Sequence, residues 1–208
     1  MIAMTRPTLY LTGNSDADEL LARDPNALLL GMVLDQQVTM EKAFAGPAVI
    51  AERMGGRLDV RAIADADPDA FAAMCAQRPA VHRFPGAMAK RVQGTCRVLA
   101  DTYDGEAANL WAGIVTGAEL RDRIAALPGF GAQKAAIFTA LLGKQYGVRP
   151  PGWREAAGAY GEDGSHRPFR SPRGPLAVSA RGPARHPLLD AQRTPRPDPM
   201  PLCCPDRA

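Results

Sequence analysis

Residues 1–165 are punctuated by helix starts and stops at intervals that suit only a bundle of short helices. Asp24 and Pro25 form an N-cap and first-turn pair ahead of ALLLGMVL. The Asp side chain can accept from an exposed N–H, and the missing N–H of Pro costs nothing in a first turn. Asp67 and Pro68 repeat the device before AFAAMCA. Pro85 opens a helix that runs to about Tyr103 and is closed by Gly105. Its apolar stripe of Ala89, Val92, Cys96 and Leu99 recurs at spacings of three and four. Thr116 and Glu119 have the spacing of a capping box before LRDRIAAL, and a further helix from about Ala132 to Tyr146 stops at Gly147. Gly55 and Gly56 end the helix that follows Gln37, with Gly46 and Pro47 marking a break or bend inside it. Strand alternation is scarce. The pattern predicts an all-α, two-lobed body over residues 1–165.

From residue 166 the pattern stops. This stretch holds ten of the nineteen prolines and eight Arg, with no Lys, Glu or Ile. It carries a net charge of +5 against −2 for the remainder, so the sequence pI of 8.8 belongs to the tail. That pI is therefore no argument that the body binds nucleic acid. Proline recurs too often for helix or strand, which predicts a disordered Pro/Arg-rich tail over 166–208. Its composition is what a GC-rich gene yields when read out of frame. The hydrophobic share of 46% suffices for a packed core. The longest apolar run, residues 27–34, is interrupted by Gly31 and is too short to span a bilayer. The N-terminus lacks the basic start and apolar core of a secretory signal, and the four cysteines lack metal-ligand spacing. A monomer in a reducing cytoplasm, without a membrane partner or a metal, is expected.

The segment that carries chemistry is RDRIAALPGFGAQKAAIFTALLGKQYG. Pro128 stops one helix, Gly129 and Gly131 permit positive φ and close approach, and a second helix starts at once. The unpaired N–H groups and positive dipole end of that helix suit a phosphate oxygen, and Lys134 in the first turn adds a charge. Leu127, Ile137 and Leu141 are expected to pack the two helices beneath the turn. Residues 121–155 hold six basic side chains and two acidic ones, so positive charge gathers where the turn is. The alternative for these glycines is an ordinary αα-hairpin packed tightly.

LPGFGAQKA resembles the helix-hairpin-helix of the HhH-GPD superfamily, the endonuclease III-like base-excision DNA glycosylases. ALLLGMVLDQQVT resembles the early helix and turn whose glutamine fills the space left by an extruded base, with Gln37 at that position. AMAKRVQGTCRVLADTYDGE is similar to the helix and loop before the hairpin. The likeness covers roughly residues 24–147, and GVRPPGWREAAG beyond it resembles a small actinobacterial group within the superfamily. The resemblance implies a two-lobed helical fold and a base-excision protein of the nucleoid acting on damaged double-stranded DNA. It implies DNA contacts at Gln37, Leu127, Pro128, Gly129, Phe130, Gly131, Gln133 and Lys134. The family's C-terminal four-cysteine loop is absent, so no iron–sulphur cluster or other cofactor is expected; a monovalent cation at the hairpin is compatible with the likeness. The sequence departs from the family at two points. Pro150 and Pro151 stand where its catalytic aspartate should fall, and no Asp occurs between Asp122 and Asp163. Its nucleophilic lysine aligns with Gln133; Lys134 is one step on, about 100° round the helix, so the lyase role does not carry over.

The catalytic group is thus open. Asp35, beside Gln36 and Gln37, and Glu155, downstream of the hairpin, are the candidate carboxylates for stabilising a cationic sugar or activating water. Each has the plainer alternative of a solvated surface charge. His82, just ahead of a helix, is able to contact a phosphate, and Trp111 and Trp153 read as core or lid anchors. Three functions remain: a monofunctional DNA N-glycosylase, a non-catalytic DNA-binding module, and a helical protein-interaction domain.

Overall fold

The computed structural model describes residues 9–163, and among them every regular element is helical. In chain order these are α1 (Ser15–Arg23), α2 (Pro25–Leu34), α3 (Met40–Arg53), α4 (Val60–Asp65), α5 (Pro68–Ala76), α6 (Pro85–Thr102), α7 (Ala108–Trp111), α8 (Gly117–Ala125), α9 (Ala132–Gln145) and α10 (Trp153–Ala157), then a 3-10 turn, Gly158–Tyr160. The fold is all-α. The tail expected from residue 166 lies outside the described residues.

The punctuation residues act as caps. Asp24 accepts from the Asn26 N–H at 2.9 Å and Asp67 from the Ala70 N–H at 2.8 Å. Each such bond contributes about 1 kcal/mol. Thr116 accepts from the Glu119 N–H at 3.2 Å; Glu119 reaches back to the Val115 N–H at 3.1 Å, one residue further than a capping box requires. At the end of α9, Gly147 takes φ 76° and the Val148 N–H wraps back to the Leu142 carbonyl at 3.1 Å. α1 has no counterpart in the sequence reading, although Asn14 caps it by accepting from the Asp16 and Ala17 N–H groups.

Of the break or bend expected at Gly46 and Pro47, there is no break: α3 runs through both. The glycine is there for contact, because a Cβ on Gly46 would stand 2.4 Å from Leu34 Cδ1. Pro47 removes one backbone donor and the helix continues past it.

The centre is α2, in which nine of ten residues are buried. A helix apolar all round belongs in a core, and each fully buried Leu there contributes about 1.5–3 kcal/mol. α3 and α6 pack on α2, α4 and α5 pack on α6, and α1 lies against α2 and α3. The second group is the α8–α9 pair, with α10 packed on both of its members and α7 on α8. Trp153 of α10 seats on glycines: a Cβ on Gly143 would stand 2.2 Å from its Cε3, and one on Gly117 2.4 Å from its Cα. Trp111 stacks edge-on against Phe138 and Tyr146. Leu127, Ile137 and Leu141 are all buried beneath the hairpin turn, in one core continuous with α2. Both tryptophans are packing residues, in keeping with the sequence.

Candidate nucleic-acid interface

The α8–α9 turn presents backbone outward. Leu127 and Phe130 bury their side chains, Phe130 with its ring 6.1 Å from that of Phe138. Their N–H groups are taken up by the Ile124 and Leu127 carbonyls, each at 3.1 Å. Pro128 is half-buried against α6, where a Cβ on Gly94 would stand 3.7 Å from Pro128 Cβ. Gly129 is exposed at φ 82°, a conformation that favours glycine. Gly131 differs from expectation: it is the N-cap of α9 at φ −105°, ψ 174°, extended backbone open to any residue, and a Cβ there would meet nothing within 4 Å. Positive φ is needed once in the turn, because Gly129 alone reverses the chain. No side chain caps α9, so its first-turn N–H groups face outward without an intrahelical partner.

Gln133 and Lys134 diverge as their 100° separation requires. Gln133 is exposed and its Nε2 donates to the Tyr160 hydroxyl at 3.1 Å. Lys134 turns the other way, and its Nζ donates to the Val33 carbonyl at 3.1 Å, at the C-terminal end of α2. Its ammonium also lies 5.3 Å from the centre of the Phe130 ring. Burial pulls the Lys134 pKa down to about 8; Asp35 opposes that shift and Arg91 adds to it. Burial likewise raises the Asp35 carboxyl, against the pull of Lys134. The Lys134 ammonium is thus set at the end of α2 that Asp35 closes as C-cap. Glu155 lies elsewhere, on a shallow groove beside Arg121, Ala132 and Tyr160.

The α2–α3 loop stands beside the turn. A Cβ on Gly129 would be 3.6 Å from Arg91 Cδ and 3.7 Å from Gln36 Nε2. Arg91 donates through Nη1 to Gln36 Oε1. Gln37 is exposed and takes φ 56°, the left-handed region, where a non-glycine side chain costs about 1–2 kcal/mol. A phosphate contact, the option that the sequence left for His82, is closed by its burial. His82 is buried, and both ring nitrogens are engaged, one with the Phe84 N–H and one with the Gln36 carbonyl. Burial lowers its pKa.

Three side chains here escaped the sequence reading: Gln36, Arg91 and Phe84. Phe84 is 44% exposed, with the Arg83 guanidinium 4.6 Å from its ring centre. It occupies the N-cap of α6 without capping it. An aromatic directly before a helix-opening proline, where Ser or Asp would serve the helix, was the available signal.

No helix among the described residues is long and apolar enough to cross a membrane. No group of three or more His, Cys, Asp or Glu among them is placed to hold a metal ion. Cys75 and Cys96 are buried thiols, pushed up by burial to about 11 and about 12. No protein-family model matches the chain, and no curated protein matches it.

Proposed function

We propose that this chain binds damaged double-stranded DNA as a helix-hairpin-helix protein of the HhH-GPD type and hydrolyses an N-glycosidic bond there. One observation carries the reading. The backbone turn suited to a phosphate and the strained loop bearing Gln37 are neighbours, with Gln36 and Arg91 against Gly129. A protein that extrudes a base is served by both functions on one face, one to hold the strand and one to fill the vacated stack. In this reading Gly129, Gly131 and the start of α9 hold phosphate, while Lys134 supplies charge. Gln37 occupies the gap and the exposed ring of Phe84 stacks on a neighbouring base. Asp35 is the carboxylate beside them, and its role is to face the positive charge that develops on the sugar. The partner is duplex DNA in the nucleoid, met by a monomer, with no cofactor taking part.

The experiment is base release from a panel of damaged duplexes, with Asp35→Asn as control. Release by the wild type and its loss in the variant are expected. Asp35 shares its surroundings with the Lys134 ammonium, and this favours one second reading, damage binding without catalysis. Selective binding with no base released from any duplex would establish that reading instead.

A further inference from the structure

Gln37 and Phe84 are 47 positions apart in the chain and are joined through one buried side chain. His82 is 1% exposed. Its Nδ1 accepts from the Phe84 N–H at 3.0 Å, so that nitrogen carries no proton. The neutral ring therefore keeps its proton on Nε2, which donates to the Gln36 carbonyl at 2.9 Å. Arg91 binds the Gln36 side chain from the other side. Gln36 is thus held by both its carbonyl and its amide, immediately before the left-handed Gln37. A residue in a sparsely populated conformation persists only where its surroundings over-determine it, and here the surroundings are His82 and Arg91.

We propose that His82 is a positioning residue: its neutral Nε2–H form locks Gln37 and Phe84 into one rigid pair, and protonation of the ring uncouples them. What the pair touches rests on the damaged-DNA reading; the coupling itself does not. An imidazolium has two donors and no acceptor. Protonated, Nδ1 would turn an N–H toward the Phe84 N–H, and that bond is lost while the bond to Gln36 survives. The charged groups facing the ring are Arg83 beside it, Lys42 from α3 and Arg91 from α6, and all three oppose a further positive charge. Burial opposes it most, so the ring titrates below its ordinary 6.5. The stability that His82 contributes is complete above 6.5 and is lost as the pH falls below that value through its folded-state pKa.

The test is nuclear magnetic resonance on the full chain, following the His82 ring nitrogens and the Gln37 and Phe84 amides from neutral pH to about pH 5. All three should titrate with one midpoint below 6.5. In His82→Asn, whose Oδ1 can still accept from the Phe84 N–H and does not titrate, both amides should stay fixed. An unmoved Phe84 amide while His82 titrates, or the same amide titration in His82→Asn, would overturn the proposal. The wild-type arm requires no variant to fold. In a second arm, wild-type preference for an abasic-site duplex over an undamaged one should fall roughly threefold to tenfold through the midpoint, the worth of one hydrogen bond. The preference of His82→Asn should stay flat. A chain that binds no DNA at any pH defeats the DNA reading alone, since the resonance arm still decides the coupling.

Discussion

The α8–α9 turn and the α2–α3 loop lie side by side and reach an unusual backbone conformation by opposite means. The turn uses Gly129 at φ 82°, which costs a glycine almost nothing. The loop uses Gln37 at φ 56°, held through Gln36 by His82 and Arg91 from distant parts of the chain. A turn built from glycine offers backbone and asks only for room. A loop that keeps a glutamine where glycine would relax it is retaining a side chain at a price in stability.

The largest effect should come from removing the residue that closes the hairpin at the end away from the turn. Trp153→Ala takes away the ring seated on Gly143 and should cost about 3–5 kcal/mol in urea unfolding. Duplex binding should weaken in step with it. If the variant binds DNA as before at full stability, the turn does not depend on the packing of α10.

The two glycines of the turn separate next. Gly129→Val forces a β-branched residue to positive φ, which should lower stability by about 1–2 kcal/mol and weaken binding to damaged and undamaged duplexes alike. Gly131→Val should lower the melting temperature less, because that residue is extended and open and only its N-cap preference is lost, yet still obstruct a phosphate at the start of α9. Equal melting losses in both variants would contradict the assignment of the reversal to Gly129.

The loop should respond in the contrary sense. Gln37→Gly relieves the left-handed strain and should raise stability by up to about 1 kcal/mol, less the added freedom of the unfolded chain. It should also reduce affinity for an abasic-site duplex more than for an undamaged one. A loss of equal size on both duplexes would remove Gln37 from the role of gap filler.

Lys134 gives the smallest change. Lys134→Ala should flatten the dependence of log affinity on log salt by less than one, because its ammonium is held at the Val33 carbonyl, with only a modest loss of binding. Its folded-state pKa of about 8 lies below the ordinary 10.5, so its charge disappears as the pH rises through about 8. Wild-type DNA affinity should therefore fall over that range while fold stability rises toward 10.5, and Lys134→Ala should show neither trend. Titrations of binding and of melting temperature against pH check both signs.

The same contrast explains what could be read from the residues alone. Helix starts at Asp24, Asp67 and Thr116, and the stop at Gly147, depend on neighbours within a few positions, and the structure uses all four as caps. The turn was legible for the same reason, apart from the conformation of Gly131. The packing role of Gly46 was hidden because the residue it meets, Leu34, lies on another helix. Lys134 reaches the Val33 carbonyl although they are 101 positions apart, and no local pattern announces that. His82 read as a phosphate contact because its burial is decided by the loop that closes over it. Long-range polar pairs are set by packing, and a single sequence shows only their two ends.

The central claim is that the turn and the loop form one site for damaged duplex DNA. Its most direct measurement is the affinity of the full chain for two duplexes of one sequence, one undamaged and one carrying a stable abasic-site analogue, across a range of salt. The account predicts steep salt dependence on both, tighter binding to the abasic duplex, and a preference that Gln37→Ala narrows without altering the salt slope. Equal affinity for the two duplexes, or binding indifferent to salt, would contradict it.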